Sequence, residues 1–213
     1  MKYKNRKLQI SCDGGAATGK STGARMISKK FGLNFLSSGL LYRYVAYLLI
    51  KDRPKNIFSF INRKFKKLNY KKLEQINLHT QEISKVSAKI AKKEKIRSIL
   101  KKYQLNFSKK HKRCCIEGRD ISTKILPNSD VKFFFTCNLS VASKRRFKEL
   151  KKNNPNISLK DVKKALKIRN MSDIQRKNSP LLKHRDSIVI DTGKLSKKAM
   201  LKKMSKHLIE ILN

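Results

Sequence analysis

The chain has 213 residues, of which 39% are hydrophobic, so it is long enough for one α/β domain with a proper core or for two small ones. Its 54 lysine and arginine residues against 14 acidic residues give a net charge of +40, which predicts attraction to polyanions. The lysines are spread over the whole chain instead of forming one stripe, and no apolar run is long enough to span a bilayer. We therefore expect a cytoplasmic protein whose four cysteines, which lack metal-ligand spacing, are reduced and mostly buried.

Short apolar segments alternate with helical patterns along the chain. The predicted strands are Leu8–Cys12, Asn34–Leu36, Cys114–Ile116, Lys132–Cys137 and Ser187–Asp191. The predicted helices are Lys20–Phe31, Leu40–Ile50, Glu82–Lys102, Val141–Lys151, Leu159–Met171 and Ser196–Leu212. This alternation predicts an α/β fold with a mostly parallel five-stranded sheet and helices on both faces. Ligands of such sheets bind beyond the carboxyl ends of the strands.

The most informative motif follows the first strand directly. Gly14-x-x-x-x-Gly19-Lys20-Ser21 leads from a buried strand into a helix, which is the context that a phosphate-binding loop requires. Glycine lets the loop turn tightly and present its N–H groups to a pyrophosphate, while lysine can reach the terminal phosphates and serine can bind Mg²⁺. The residues predicted to bind a nucleoside triphosphate are Gly14, Gly15, Ala16, Ala17, Thr18, Gly19, Lys20, Ser21 and Thr22. The NKxD motif of GTPases is absent, and the length of the chain suits a small kinase.

Three further motifs follow in order: Leu36-Ser-Ser-Gly-Leu-Leu-Tyr-Arg43, Glu117-Gly-Arg-Asp120, and Arg169-x-x-x-Asp173-x-x-Arg176-x-x-x-Pro180-Leu181. Together with the phosphate loop they resemble the bacterial cytidylate kinases over nearly the whole chain. The resemblance implies the three-layer P-loop kinase fold of the nucleoside monophosphate kinases. It also implies transfer of the γ-phosphate of ATP to CMP or dCMP, with Mg²⁺ as cofactor.

The resemblance further implies a role for each matched residue. The residues that would surround the cytosine are Ser38, Arg97 and Asp120. Those that would meet the acceptor sugar are Arg169 and Asp173. Those that would hold the acceptor phosphate and the transferring group are Arg43, Arg119 and Arg176, of which the last two join Lys20 in the implied catalytic set. Arginine suits this task, because its planar fork binds phosphate oxygens in pairs and keeps its charge.

The chain departs from the family pattern in the part that would bind the acceptor. Ala88 stands where the family has a serine near the cytosine. The segment 52–79 is shorter than the insert of longer family members, so we expect their small extra sheet to be replaced by a few helical turns. The predicted organisation is a single domain with a core at about 1–50 and 108–213, an acceptor-binding insert at about 51–107, and a mobile lid at about 151–180.

Two alternatives stay open at this point. Ala88 and the short insert leave room for a kinase of another small acceptor, such as UMP. The strong positive charge leaves room for an RNA- or ribosome-associated P-loop protein whose basic surface is its function. We expect a monomer that acts on small molecules, without an obligate nucleic acid or membrane partner.

Overall fold

The computed structural model describes residues 6–152 and 154–212. Residues 1–5 and 213 of the predicted core and residue 153 of the predicted lid lie outside the described residues. The chain divides into two compact units. The first contains Met1–Phe35 and Lys112–Asn213, and the second contains Leu36–His111. Within the described ranges, no helix is both long and apolar enough to cross a membrane.

Within the described residues five strands form one sheet, and all five lie within two residues of their predicted positions. They are β1 (Leu8–Gly14), β2 (Asn34–Ser37), β3 (Arg113–Gly118), β4 (Val131–Thr136) and β5 (Ile188–Asp191). The strand order is β2-β3-β1-β4-β5. β1 pairs in parallel with β3 and β4, and β4 pairs in parallel with β5. The central position of β1 brings the loop at its carboxyl end between the ends of β3 and β4.

Helices connect these strands. They are α1 (Lys20–Phe31), α2 (Ser38–Asp52), α3 (Ile57–Lys66), α4 (Gln81–Ile90), α5 (Glu94–Lys110), α6 (Leu139–Lys151), α7 (Leu159–Gln175) and α8 (Lys197–Leu212). A single π-helical turn, Ile121–Ile125, follows β3. α1 ends at Gly32, whose φ of 62° lies in the left-handed region that glycine adopts without strain.

The core of the first unit lies between the sheet and the helices α1 and α8. Ile10 of β1 and Phe133 of β4 are fully buried and pack in one cluster with Ile27 of α1 and Met204 of α8. The strands carry apolar runs because they are covered by helices, and burying each large side chain contributes about 1.5–3 kcal/mol.

A smaller apolar cluster joins α6 and α7 to the loop after β1. It contains Ala16 of that loop, Ala142 of α6, and Val162 and Leu166 of α7. Ser158 caps α7, and its hydroxyl accepts a hydrogen bond from the Asp161 N–H at 3.0 Å. The packing places α7, which belongs to the predicted lid, against the phosphate loop.

The second unit is helical, and one helix prediction within it was wrong. The predicted helix Glu82–Lys102 is two helices, α4 and α5, separated at Ala91–Lys93. Lysines at 89, 92, 93 and 95 repel one another at the break. Arg97 then donates a hydrogen bond to the Ala91 carbonyl at 3.1 Å, which satisfies a carbonyl at the end of α4.

The segment 52–79 holds α3 and a short 3-10 helix, Tyr70–Gln75, and no strand occurs in this fully described stretch. α3 buries Ile61 and Phe65 and exposes its basic residues. The expectation that helical turns replace a small extra sheet is therefore confirmed.

Candidate active site

The phosphate loop runs from the end of β1 to the start of α1. A side chain at Gly14 would overlap the carbonyl oxygen of Phe135, so glycine is required for the close approach of the two strands. Gly19 has a φ of 79° and stands at the N-terminus of α1 without a side-chain capping bond. The first N–H groups of α1 are thus available to an anion, which the helix dipole also favours.

Hydrogen bonds within the phosphate loop, and from residues after β5 and on α6, hold this loop in place. The Thr18 hydroxyl donates to the Gly15 carbonyl at 3.0 Å. The Thr192 hydroxyl, directly after β5, donates to the Thr18 carbonyl at 2.7 Å. Arg145 of α6 in turn donates to the Thr192 hydroxyl at 2.9 Å and to its carbonyl at 2.7 Å. The loop conformation is therefore held by the fold before any ligand contacts it.

Lys20 is buried at the start of α1. Its Nζ lies 3.6 Å from Oε2 of Glu117, at the end of β3, and 3.4 Å from the Gly15 carbonyl oxygen. Burial, assisted by the positive charge of Arg119, lowers the pKa of Lys20 to about 8. A buried ammonium with a depressed pKa gains much from an added negative charge, because that charge restores the stability lost on leaving water.

A cluster of arginines around one carboxylate lies in the same unit. Nε of Arg119 donates to Oδ2 of Asp173 at 2.8 Å, and Nη1 of Arg176 lies 3.5 Å from Oδ1. Burial alone would raise the pKa of Asp173, yet the charge and hydrogen bond of Arg119 hold it below its ordinary value. Burial and the charge of Arg119 lower the pKa of Arg169 to about 10. One carboxylate thus holds several cations that would otherwise repel one another.

The loop that carries Arg119 is fixed by a buried carboxylate. Asp13, at the end of β1, accepts hydrogen bonds from the N–H groups of Ile121 and Ser122 at 2.8 and 2.7 Å and from the Ser122 hydroxyl at 2.6 Å. Burial raises the pKa of Asp13, although these donors oppose that shift. Asp120, which precedes the π-helical turn, is buried as well.

The second unit holds the remaining predicted site residues. Ser38 is the first residue of α2 and is buried. Arg43 donates from Nη1 to the Leu78 carbonyl and to the Ser84 hydroxyl, both at 2.9 Å. The Arg97 guanidinium lies 5.6 Å from the centre of the Tyr42 ring. Both arginines are 9% exposed, so each side chain is held in one place by the unit itself.

The position at which the chain departs from the family's serine lies next to a serine in α4. Ala88 is exposed, whereas Ser87 is buried and donates its hydroxyl to the Ser84 carbonyl at 3.0 Å. Ser84 therefore links Ser87 to Arg43 within this unit.

The structure brings part of the predicted site together in the first unit, since Lys20 interacts electrostatically with Arg119, Arg169 and Asp173. Several residues of this unit that support the site, Glu117 and Arg145 among them, were not predicted as site residues. Asp13 anchors the Arg119 loop, Thr192 braces the phosphate loop, and Asn170 of α7 accepts a hydrogen bond from the Ala16 N–H at 3.0 Å. A strand-end position was available as a signal for Asp13 and Thr192, but no sequence signal identified Asn170.

Comparison with known proteins identifies the family. The sequence model of cytidylate kinase matches residues 10–210. A cytidylate kinase from Bartonella tribocorum is 35% identical over 192 residues, covering 88% of this chain and 87% of the relative. A cytidylate kinase from Rickettsia africae is 32% identical over 208 residues, covering 96% of this chain and 93% of the relative.

A solved structure supports the same architecture. Shikimate kinase from Acinetobacter baumannii, in complex with shikimate, superposes with a TM-score of 0.52 at 12% identity, covering 98% of this chain and 96% of that chain. At that identity the likeness bears on the fold alone, and it agrees with a P-loop kinase fold. With its phosphate loop, its arginine cluster and these relatives, the chain belongs to the cytidylate kinase family.

Proposed function

We propose that this protein transfers the γ-phosphoryl group of ATP to CMP or dCMP, giving ADP and CDP or dCDP. The observation that carries the proposal is the buried Lys20 of a phosphate loop next to a cluster of arginines in the same compact unit. Family membership supplies the acceptor class. It also disfavours the alternative of an RNA- or ribosome-associated P-loop protein.

The phosphate loop would bind the donor. Its residues 14–22 present backbone N–H groups to the triphosphate, and Lys20 would contact the terminal phosphates. The Ser21 side chain is exposed at the start of α1. The described residues contain no cluster of three or more histidine, cysteine or acidic side chains that could hold a metal. The Ser21 hydroxyl would contribute the ligand from the phosphate loop to a Mg²⁺ ion that arrives with ATP, and the ion would neutralise part of the charge of the transferring group.

The transfer itself needs alignment and charge neutralisation. An oxygen of the acceptor phosphate forms a bond to the γ-phosphorus, and the bond to the oxygen that bridges to the β-phosphorus breaks. The acceptor is already anionic, so no general base is required. Arg119 and Arg176, both oriented by Asp173, would neutralise the negative charge that accumulates between the two nucleotides.

The roles of the residues that would bind the acceptor nucleotide are also proposals. We assign Ser38, Arg97 and Asp120 to the cytosine, Arg43 to the acceptor phosphate, and Arg169 with Asp173 to the acceptor sugar. A carboxylate such as Asp120 suits cytosine because it accepts from the exocyclic amino group. We also propose a monomer, since the phosphate loop and the arginine cluster belong to one chain.

The test of this proposal is ADP release from Mg²⁺-ATP with CMP, dCMP, UMP, AMP and no acceptor, measured side by side. We expect turnover with CMP and dCMP and a kcat/KM at least about tenfold lower with UMP, because uracil offers a carbonyl where cytosine offers an amino group. Lys20→Ala is the matched inactive control. A preference for UMP or AMP, or no turnover with any acceptor, would contradict the proposal.

The affinity for Mg²⁺-ATP is expected to fall as the pH rises above about 8. The pKa of Lys20 is about 8 in the protein described here, and bound phosphates would raise it because they favour the ammonium form. Binding above that pH must therefore take up a proton, so affinity is complete below about pH 8 and decreases by up to about tenfold per pH unit above it. Titration calorimetry between about pH 7 and pH 9.5 measures this.

Lys20→Arg is the control for this pH dependence. Arginine keeps its charge throughout the range, so the variant is expected to bind ATP more weakly but with a flat pH profile. An equal pH dependence in both proteins would mean that another group titrates.

A further inference from the structure

Asn170 contacts the phosphate loop from the predicted lid. Its Oδ1 accepts a hydrogen bond from the Ala16 N–H at 3.0 Å, and both residues belong to the first unit. A Cβ atom at Gly15 would lie 3.3 Å from Oδ1 of Asn170, which is tighter than most contacts, and 3.5 Å from its Nδ2, which is an ordinary van der Waals distance. The side-chain amide is therefore seated directly on the loop backbone where the loop has no side chain.

The contact fixes the part of α7 that carries the charged groups. Asp173 lies three residues after Asn170 and four after Arg169, so its side chain neighbours each of these two on the helix surface. Asp173 joins α7 to Arg119 after β3, and Asn170 joins α7 to the loop after β1. The apolar contacts of α7 in the small cluster, Val162 and Leu166, lie one to two turns earlier. Asn170 thus provides the connection between the phosphate loop and the arginine-bearing end of α7.

We propose that Asn170 is a positioning residue, which holds the arginine-bearing end of α7 in register with the phosphate loop for the transfer step. This inference rests on the proposed function. The chemistry of the side chain supports it, because an amide oxygen accepts the loop N–H without adding charge. A carboxylate at 170 would accept the same bond but would place a negative charge beside the loop that faces the phosphates. The neutral amide of Asn170 therefore accepts the Ala16 N–H and also avoids a negative charge beside the bound phosphates.

Two variants separate the contact from the charge. Asn170→Ala removes the hydrogen-bond acceptor. Losing one hydrogen bond shifts an equilibrium by about fivefold, so we expect kcat to fall about fivefold or more. The KM for ATP should change less than about twofold, because the phosphate loop itself is unchanged. Asn170→Asp keeps the acceptor, so kcat is largely retained while the KM for ATP rises by about fivefold or more. A residue that only stabilised the fold would not produce this opposite division between kcat and KM.

The contact itself is measured without turnover. Hydrogen exchange at the Ala16 amide, in the protein without substrates, is expected to be faster in Asn170→Ala and unchanged in Asn170→Asp. Met171→Ala is the matched control, since Met171 is the next residue on α7 and is 44% exposed. The exchange result stands even if the acceptor proves not to be CMP, so failure of this inference and failure of the proposed function are distinguishable.

The proposal is overturned if Asn170→Ala matches Met171→Ala in kcat, or if its Ala16 amide exchanges no faster. If Asn170→Ala proves less thermally stable than Met171→Ala, its loss of kcat could reflect a weaker fold, and the test then depends on Asn170→Asp. A protected Ala16 amide with a raised KM for ATP then supports the proposal, and an unprotected amide or an unchanged KM overturns it.

Discussion

Lys20→Ala is expected to lower kcat by about 10³-fold or more while the chain remains folded. The ammonium is buried beside Glu117 and Arg119, in surroundings that make its charge costly until phosphates arrive. A preorganised charge in such a site stabilises developing negative charge far more than an exposed lysine could. Steady-state ADP release with saturating CMP measures kcat, and circular dichroism checks the fold.

Lys29→Ala is the matched control for this variant. Lys29 lies on the same helix, in its last turn, and is exposed. The substitution Lys29→Ala removes the same charge from a chain of net charge +40, and we expect it to leave kcat unchanged within about twofold. If Lys20→Ala kept more than a tenth of the activity, the phosphate-loop lysine would not have the role proposed here.

The positions of strands and of the phosphate loop were predictable because they depend on local pattern. β1, β3 and β4 are short, largely apolar segments that helices cover. A segment of this kind is stable mainly when it is buried, as it is in a strand covered on both faces. Gly14 and Gly19 are required by backbone geometry at two fixed points of one loop. Each signal lies within a few neighbouring residues, so a single sequence suffices to read it.

The break between α4 and α5 was missed although its cause lies within a few residues of it. The lysines around position 92 lower helix stability, but the break also depends on Arg97 turning back to the Ala91 carbonyl. Continuous helical periodicity on both sides concealed the turn. Helical periodicity records which residues share a face of a helix, and it does not record a hydrogen bond from a side chain to the backbone of a nearby turn.

The supporting residues of the site were missed because their contacts join parts of the chain that are distant in sequence. Asp13, Thr192 and Asn170 act on backbone groups of loops that are distant in sequence, separated from them by 108, 174 and 154 residues. Motifs describe the residues that would contact phosphate. The residues that hold those loops in place only need a polar side chain that reaches a backbone group, so several residue types can do this. Their identification needed the fold.

Arg176→Ala is expected to lower kcat by about 10³-fold, the effect seen when an arginine that neutralises a transferring phosphoryl group is lost. Arg176 follows the last residue of α7, and its side chain is 8% exposed. Nε donates to the Ser179 carbonyl, and Nη1 faces Asp173 at 3.5 Å, so the guanidinium is oriented by the fold. Single-turnover phosphoryl transfer, measured by rapid quench, separates this loss from slower product release.

Two further variants decide whether Arg176 acts through the geometry of its fork. Arg176→Lys keeps the charge but loses the planar pair of donors, and we expect it to recover less than a tenth of the lost rate, since lysine binds phosphate as a point charge. Arg185→Ala removes a guanidinium that is 91% exposed and pairs only loosely with Asp186, at 3.5 Å, and should leave kcat unchanged. Full recovery in Arg176→Lys would mean that charge alone suffices. An equal loss in Arg185→Ala would mean that the net charge of this very basic chain, and not the position of one arginine, governs the rate.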